Sequence, residues 1–310
     1  MLGKAGFFKA ITIIFLFIAI GFCAYYIYQN FPREAIQLKT IQIKEPSINN
    51  SIPSKQFYDN MRYQDRIINY NIAESCAENK KSLMEEAFRI IESKTILSFK
   101  TVSKPNSVLN ILCADIAPEA GEENHFVAGE GGPSKVLNVT LYSVILEGKI
   151  ALYREGSCNN ANVPLHELLH ALGFDHNNNK KSILYPILEC DQEIDEEIIN
   201  SINKLYKIDS LPELKFDAVS ATKSGRYLNF HMEVSNQGLI QADNVIVNLY
   251  AEENFVESFD LKTIGIGAKK IIDVENLKVP LGAKSIKLVI DNDDEIREIY
   301  EDNNEIVLNT

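Results

Sequence analysis

Residues 166–176 read His166-Glu167-Leu168-Leu169-His170-Ala171-Leu172-Gly173-Phe174-Asp175-His176, and the reading of this stretch decides the rest. His166 and His170 are four positions apart, so an α-helix puts both imidazoles on one face, a turn apart. Two such rings suit two corners of a tetrahedral zinc site. Glu167 follows the first histidine and falls beside the metal. There its carboxylate can serve as general base, taking a proton from water and returning it to a leaving amine. Glycine can end a helix in the left-handed conformation, and after Gly173 the chain can bring His176 back as third ligand. The fourth position stays open, as a catalytic site requires. The chain has 5 histidines, and three of them fall in this stretch. An amphipathic helix with incidental histidines is the competing reading, and the complete spacing opposes it. His125 and His231 have no partner at ligand spacing and read as ordinary surface histidines.

The flanking sequence alternates between two periods. Upstream, residues 68–72 alternate like a strand. Leu83, Ala87, Ile90 and Ile91 mark a helix over 78–93. Strands follow at 96–99, 108–112, 136–142 and 149–153, and the glycine-rich run at 128–133 reads as a loop. Helices are expected at 163–172 and 194–206. This pattern fits an α+β domain with helices packed on a twisted mixed sheet. After Ile208 the helical period disappears. Short alternating runs at 228–234, 245–250, 270–274 and 285–290 predict an all-β, Ig-like sandwich.

At the other end, residues 10–28 carry no charge. A helix of about 20 such residues crosses a hydrocarbon core of roughly 30 Å. Lys4 and Lys9 precede it, and Tyr25, Tyr26 and Tyr28 close it, which predicts a cytoplasmic N-terminus and an extracytoplasmic remainder. The alternative is a cleaved signal peptide, but no small-x-small cleavage site follows the run. Phe22 before Cys23 is too bulky for a lipoprotein site. Residues 31–60, with Pro32, Pro46 and Pro53, read as a stalk. The expected division is therefore anchor 1–30, stalk 31–60, metal-binding domain 61–208 and sandwich 209–310. A net charge of −12 argues against a nucleic-acid partner. Outside the membrane segment four cysteines remain, Cys76, Cys113, Cys158 and Cys190. An even number in an exported domain suggests two disulfides, and no CxxC spacing supports a second metal site.

The full HExxHxxGxxH string resembles that of the metzincin metallopeptidases. Ser182-Ile183-Leu184-Tyr185-Pro186 resembles the Met-turn of their matrixin branch, with Leu184 where the family has methionine. Leucine has similar volume, and such exchanges cost under about 1.5 kcal/mol. Tyr185 is not assigned to the metal. The resemblance covers about 61–208. It implies a zinc endopeptidase with one catalytic Zn2+ on His166, His170 and His176, Glu167 as base, and a protein or peptide substrate bound along an edge strand, for which 136–142 is the candidate. Because Cys158 lies before the zinc helix and Cys190 after the Met-turn, these two are expected to pair, leaving Cys76 for Cys113. No cysteine-bearing propeptide motif precedes the domain. The C-terminal segment resembles a CARDB-type module in Pro212-Glu213-Leu214, in residues 234–238 and 242–245, and in Asp291 followed by Glu298, Glu301, Asn303 and Asn304. That module implies a surface ligand. Asp291, Asp293, Asp294 and Asp302 offer oxygen to a structural Ca2+, or form a solvated turn, since no EF-hand spacing is present. The competing function is a surface adhesion protein with a degenerate peptidase domain. Leu184 and the C-terminal module favour it; an intact Glu167 opposes it.

Overall fold

Most of the buried apolar residues described collect in two cores, one around the histidine motif and one in the C-terminal part. The computed structural model describes residues 4–31, 33–40, 53–114, 127–153 and 160–309. Helix α1 (Lys4–Asn30) contains a 20-residue apolar stretch, 11–30, of mean hydropathy 2.2 with none of it buried. An apolar helix with no protein around it is suited to lipid.

Strand β1 (Ile36–Thr40) comes next, and its partners lie far along the chain, as set out below. The first core belongs to a sheet of β2 (Met61–Tyr63), β3 (Ile67–Ile72), β4 (Ser98–Thr101), β5 (Leu109–Cys113), β6 (Gly129–Asn138) and β7 (Ser143–Leu152). The path β2-β7-β5-β3-β4 is parallel throughout, and β6 pairs antiparallel with β7 as an edge strand. Parallel neighbours need crossovers. Helix α2 (Glu78–Lys94) supplies the one from β3 to β4, burying Met84, Ala87, Phe88 and Ile91 along one stripe. Helix α3 (Asn162–Ala171) carries the motif and is buried from Pro164 to Ala171. Helix α4 (Glu196–Lys207) is acidic in its first turn and basic in its last, as its dipole favours. Its C-terminal carbonyls are capped from the sheet. The fully buried Arg62 donates to the carbonyls of Leu205 at 2.5 Å and Ile208 at 3.1 Å and stacks 4.5 Å above the Tyr206 ring.

The second core lies within an antiparallel sandwich of β8 (Leu214–Ser224), β9 (Tyr227–Asn236), β10 (Ala242–Ala251), β11 (Asn254–Ile264), β12 (Lys269–Lys278), β13 (Ser285–Ile290) and β14 (Glu305–Asn309). The strand order is β11-β10-β13-β14-β1-β8-β9-β12. Strand β1 therefore joins two groups of strands, with Ile36 opposite Lys223 and Lys39 opposite Asn309. Leu38 is buried in the sandwich core. Within the segment 31–60, read as a stalk, Ile36–Thr40 is thus a strand, and the proline-rich composition concealed its pairing with strands far along the chain.

Two further expectations change. The glycine-rich run at 128–133 is mostly strand, because β6 starts at Gly129; the edge strand thus starts before the expected 136–142 and overlaps it over 136–138. Cys76 and Cys113 form the expected disulfide, and Cys190 is also disulfide-bonded. Its expected partner, Cys158, lies outside the described residues, as does His125.

Leu141, Tyr142 and Val144 form a small shared core with Leu239, so the turn between β6 and β7 packs on the sandwich. Asp209 pairs with Arg66 at 2.5 Å and with Arg297 at 3.2 Å at the same junction.

Candidate metal centre

Helix α3 presents His166 and His170 from successive turns, and Gly173 reverses the chain at φ 97°. A Cβ at Gly173 would approach the Met61 side chain to 2.6 Å, so space as well as conformation calls for glycine there. After this turn His176 faces back toward the helix. The Nε2 atoms of the three rings lie 3.0, 3.2 and 3.2 Å apart. Four ligands at zinc–nitrogen distances would be separated by about 3.3 Å.

The hydrogen bonds set the chemistry of these atoms. His166 Nδ1–H donates to the Ile183 carbonyl at 2.6 Å, and His170 Nδ1–H to the Phe174 carbonyl at 2.7 Å. Each bond fixes the proton on Nδ1, so Nε2 carries a lone pair. Lone pairs crowded together in a buried place repel unless a cation lies between them, so this donor set fits a metal. Burial, then His170, push the His166 ring down to about 3 against the pull of the Ile183 carbonyl, with His176 adding to the fall. Burial is also the first cause of the lowered values of His170 and His176. Neutral imidazole is the ligand form.

Glu167 is buried beside the centre. Burial, and then the charge of Glu130, push its carboxyl up to about 8, while a Gly131 backbone N–H pulls the other way. Strand β6 lies against α3 here. A Cβ at Gly129 would come within 2.7 Å of Glu167 Cγ, and one at Gly131 would run into the Glu167 carbonyl oxygen. The glycines thus mark a strand pressed on a helix. The sequence reading missed that role because the same residues signal turns.

Leu184 is 1% exposed within the first core. Around it the turn is held by Asn177 N–H to the Leu184 carbonyl at 3.0 Å and Leu184 N–H to Ser182 Oγ at 3.1 Å. Ile183 in the same turn supplies the carbonyl that orients His166.

Against this geometry, residues 58–207 match the family model described as Matrixin. This part of the chain is a matrixin-like domain. Residues 212–307 match the family model described as CARDB. The matrixin domain supports a metallopeptidase-like function and implies zinc as its metal. No curated protein matches the chain. Two solved structures that it resembles are a solution NMR structure and a crystal structure of one CARDB domain from Pyrococcus furiosus, the latter in complex with di-metal ions. The first is 15% identical with a TM-score of 0.28, covering 32% of this chain and 94% of that one. The second is 14% identical with a TM-score of 0.27, covering 32% and 93%.

Calcium in the C-terminal module is not supported. Among the described residues, His166, His170 and His176 are the one group of three or more metal-ligating side chains that converge. Asp291 instead caps its own turn, accepting the N–H groups of Glu295 at 3.2 Å and Ile296 at 2.7 Å. Of the two readings of Asp291, Asp293, Asp294 and Asp302, these bonds favour the turn over a Ca2+ site. His231 pairs with Asp273 at 2.8 Å on the outer face of the sandwich, far from any ligand role.

Proposed function

We propose that this chain is a membrane-anchored zinc endopeptidase working outside the cytoplasm, with His166, His170 and His176 as ligands and Glu167 as general base. The observation that carries this reading is the convergence of three Nε2 atoms, two of them held as lone-pair donors by backbone carbonyls. A zinc ion bound there would supply Lewis acidity to water and to the substrate carbonyl. The protein's own groups do the rest. Glu167 takes the proton of the attacking water on its carboxylate and passes it to the leaving nitrogen. The outer edge of β6, unpaired among the described residues, offers backbone N–H and C=O groups to an extended peptide, which gains affinity by strand addition. The closeness of Gly129 and Gly131 to Glu167 puts that edge next to the reacting groups. The anchor reading rests on the exposed apolar face of α1 and on the tyrosines at its far end.

Glu167→Gln is expected to keep zinc and fold while turnover falls at least about a hundredfold, the lower end of what general acid–base help supplies. Zinc content and casein hydrolysis check this together. Casein left intact by zinc-loaded wild-type protein would sink the endopeptidase and favour the adhesion reading, to which Leu184 at the methionine position lends its support.

A further inference from the structure

The three histidines are not supported alike. His166 and His170 are each oriented through the ring by a backbone carbonyl, and both are buried. His176 is the least buried of the three, and among the described residues its Nδ1 has no hydrogen-bond partner. What holds it acts through the backbone instead. Its own N–H donates to Asp175 Oδ1 at 2.7 Å, and Asp175 Oδ2 meets Lys55 Nζ at 2.6 Å.

Lys55 belongs to a short segment that lies across the loop carrying His176. Asp175 N–H donates to the Lys55 carbonyl at 3.1 Å, and Phe57 N–H to the Gly173 carbonyl at 3.0 Å. Gln56 and Phe174 form an antiparallel bridge between them. The segment is itself tied down. The Gln56 side chain accepts Met61 N–H at 2.9 Å and donates to the Met61 carbonyl at 2.7 Å, and Ser54 N–H reaches Ser201 Oγ on α4 at 3.3 Å. The Phe57 ring lies 5.8 Å from the ring of His170. Every residue from Gly173 to His176 is thus fixed directly or through one neighbour by a stretch that precedes the first strand of the domain.

We infer that residues 54–57 are a strap that positions the third ligand, with Asp175 as the positioning residue linking strap to His176, so that this segment sets how tightly the centre holds zinc. The inference rests on the histidine triad being a zinc site. Most of the effect should come from Asp175 and the backbone pairing. The Lys55 side chain is 66% exposed, and exposed ion pairs contribute little.

The test is zinc affinity of the full-length protein by competition with a chromophoric chelator, with far-UV circular dichroism on the metal-free protein and the visible spectrum of the cobalt form as companions. Outer-shell partners of metal ligands are worth roughly 10- to 100-fold in affinity. Asp175→Ala and Gln56→Ala should each weaken zinc about tenfold at an unchanged metal-free fold, and alter the cobalt spectrum. Lys55→Ala should weaken it by no more than about threefold. Asp175→Asn keeps an acceptor for the His176 N–H and should retain most of the affinity. Folded Asp175→Ala and Gln56→Ala proteins with zinc affinity within twofold of wild type would overturn the strap alone. A loss in Asp175→Asn equal to that in Asp175→Ala would overturn the assignment of Asp175. A wild-type protein that binds no zinc would overturn both this inference and the function on which it rests.

Discussion

His170 belongs to the proposed ligand set: its Nε2 is within 3.2 Å of both other Nε2 atoms, and its Nδ1 is held by Phe174. His170→Ala should therefore remove one of three ligands and lose most of the bound metal, read by elemental analysis after dialysis against buffered zinc. Full occupancy in that variant would remove the triad from consideration. The arrangement around it was legible because helical period, glycine and histidine spacing are all local. Four residues fix two rings on one face, and a left-handed glycine needs no distant partner. The carbonyls of Ile183 and Phe174 were not legible. Backbone groups have no signature in a sequence, and which carbonyl a ring meets depends on the packed turn.

At the scale of elements, β6 tests how closely strand and helix must approach. Gly131→Ala would drive a methyl into the Glu167 carbonyl, a backbone atom of a buried helix that cannot swing aside. Overpacking of this kind costs about 1–3 kcal/mol, and relief by displacing the edge would carry substrate away from Glu167. The expected outcome is a lower melting temperature together with a larger loss in kcat/KM than in zinc content. Gly132→Ala is the control, since nothing lies within 4 Å of a Cβ there. Equal behaviour of the two variants would refute the close-approach account. The helices α2, α3 and α4 could be read from their apolar stripes. Strand β6 could not, because a residue chosen for lack of a side chain looks the same whether it serves a turn or a contact.

For the whole molecule, the junction of the two cores holds two buried acids. Glu213 accepts from Asn303 at 2.6 Å and Tyr300 N–H at 2.8 Å, and Glu298 accepts from Asn304 at 2.7 Å and from Leu214 N–H. Burial is the main cause that pushes the first up to about 7 and the second to about 8. The folded protein then keeps protons that the unfolded chain releases above its ordinary carboxylate range. Stability is full at low pH on this account and declines as pH rises from about 4.5 toward 8. Melting temperature should fall across that window, and Glu298→Gln should flatten the fall. An unchanged slope would mean that the pair does not titrate there.

Strand β1 ties the ends of the chain into one sandwich, which the sequence concealed because its partners are so remote. Leu38→Asp would bury a charge in that core and should release the C-terminal module to protease while the matrixin domain resists; equal resistance of both would contradict it. The pairing of Lys39 with Asn309 also has a consequence for biosynthesis. Strand β1 is made before the rest of its sandwich and must wait for β14, which is made after it. The histidine-bearing domain is complete some hundred residues earlier and can fold while β1 is still single. Closing so long a loop adds only about 0.6 kcal/mol per doubling of length, yet non-local pairing slows folding. During that interval β1 is an open edge following helix α1, and the sandwich closes only once β14 has been made.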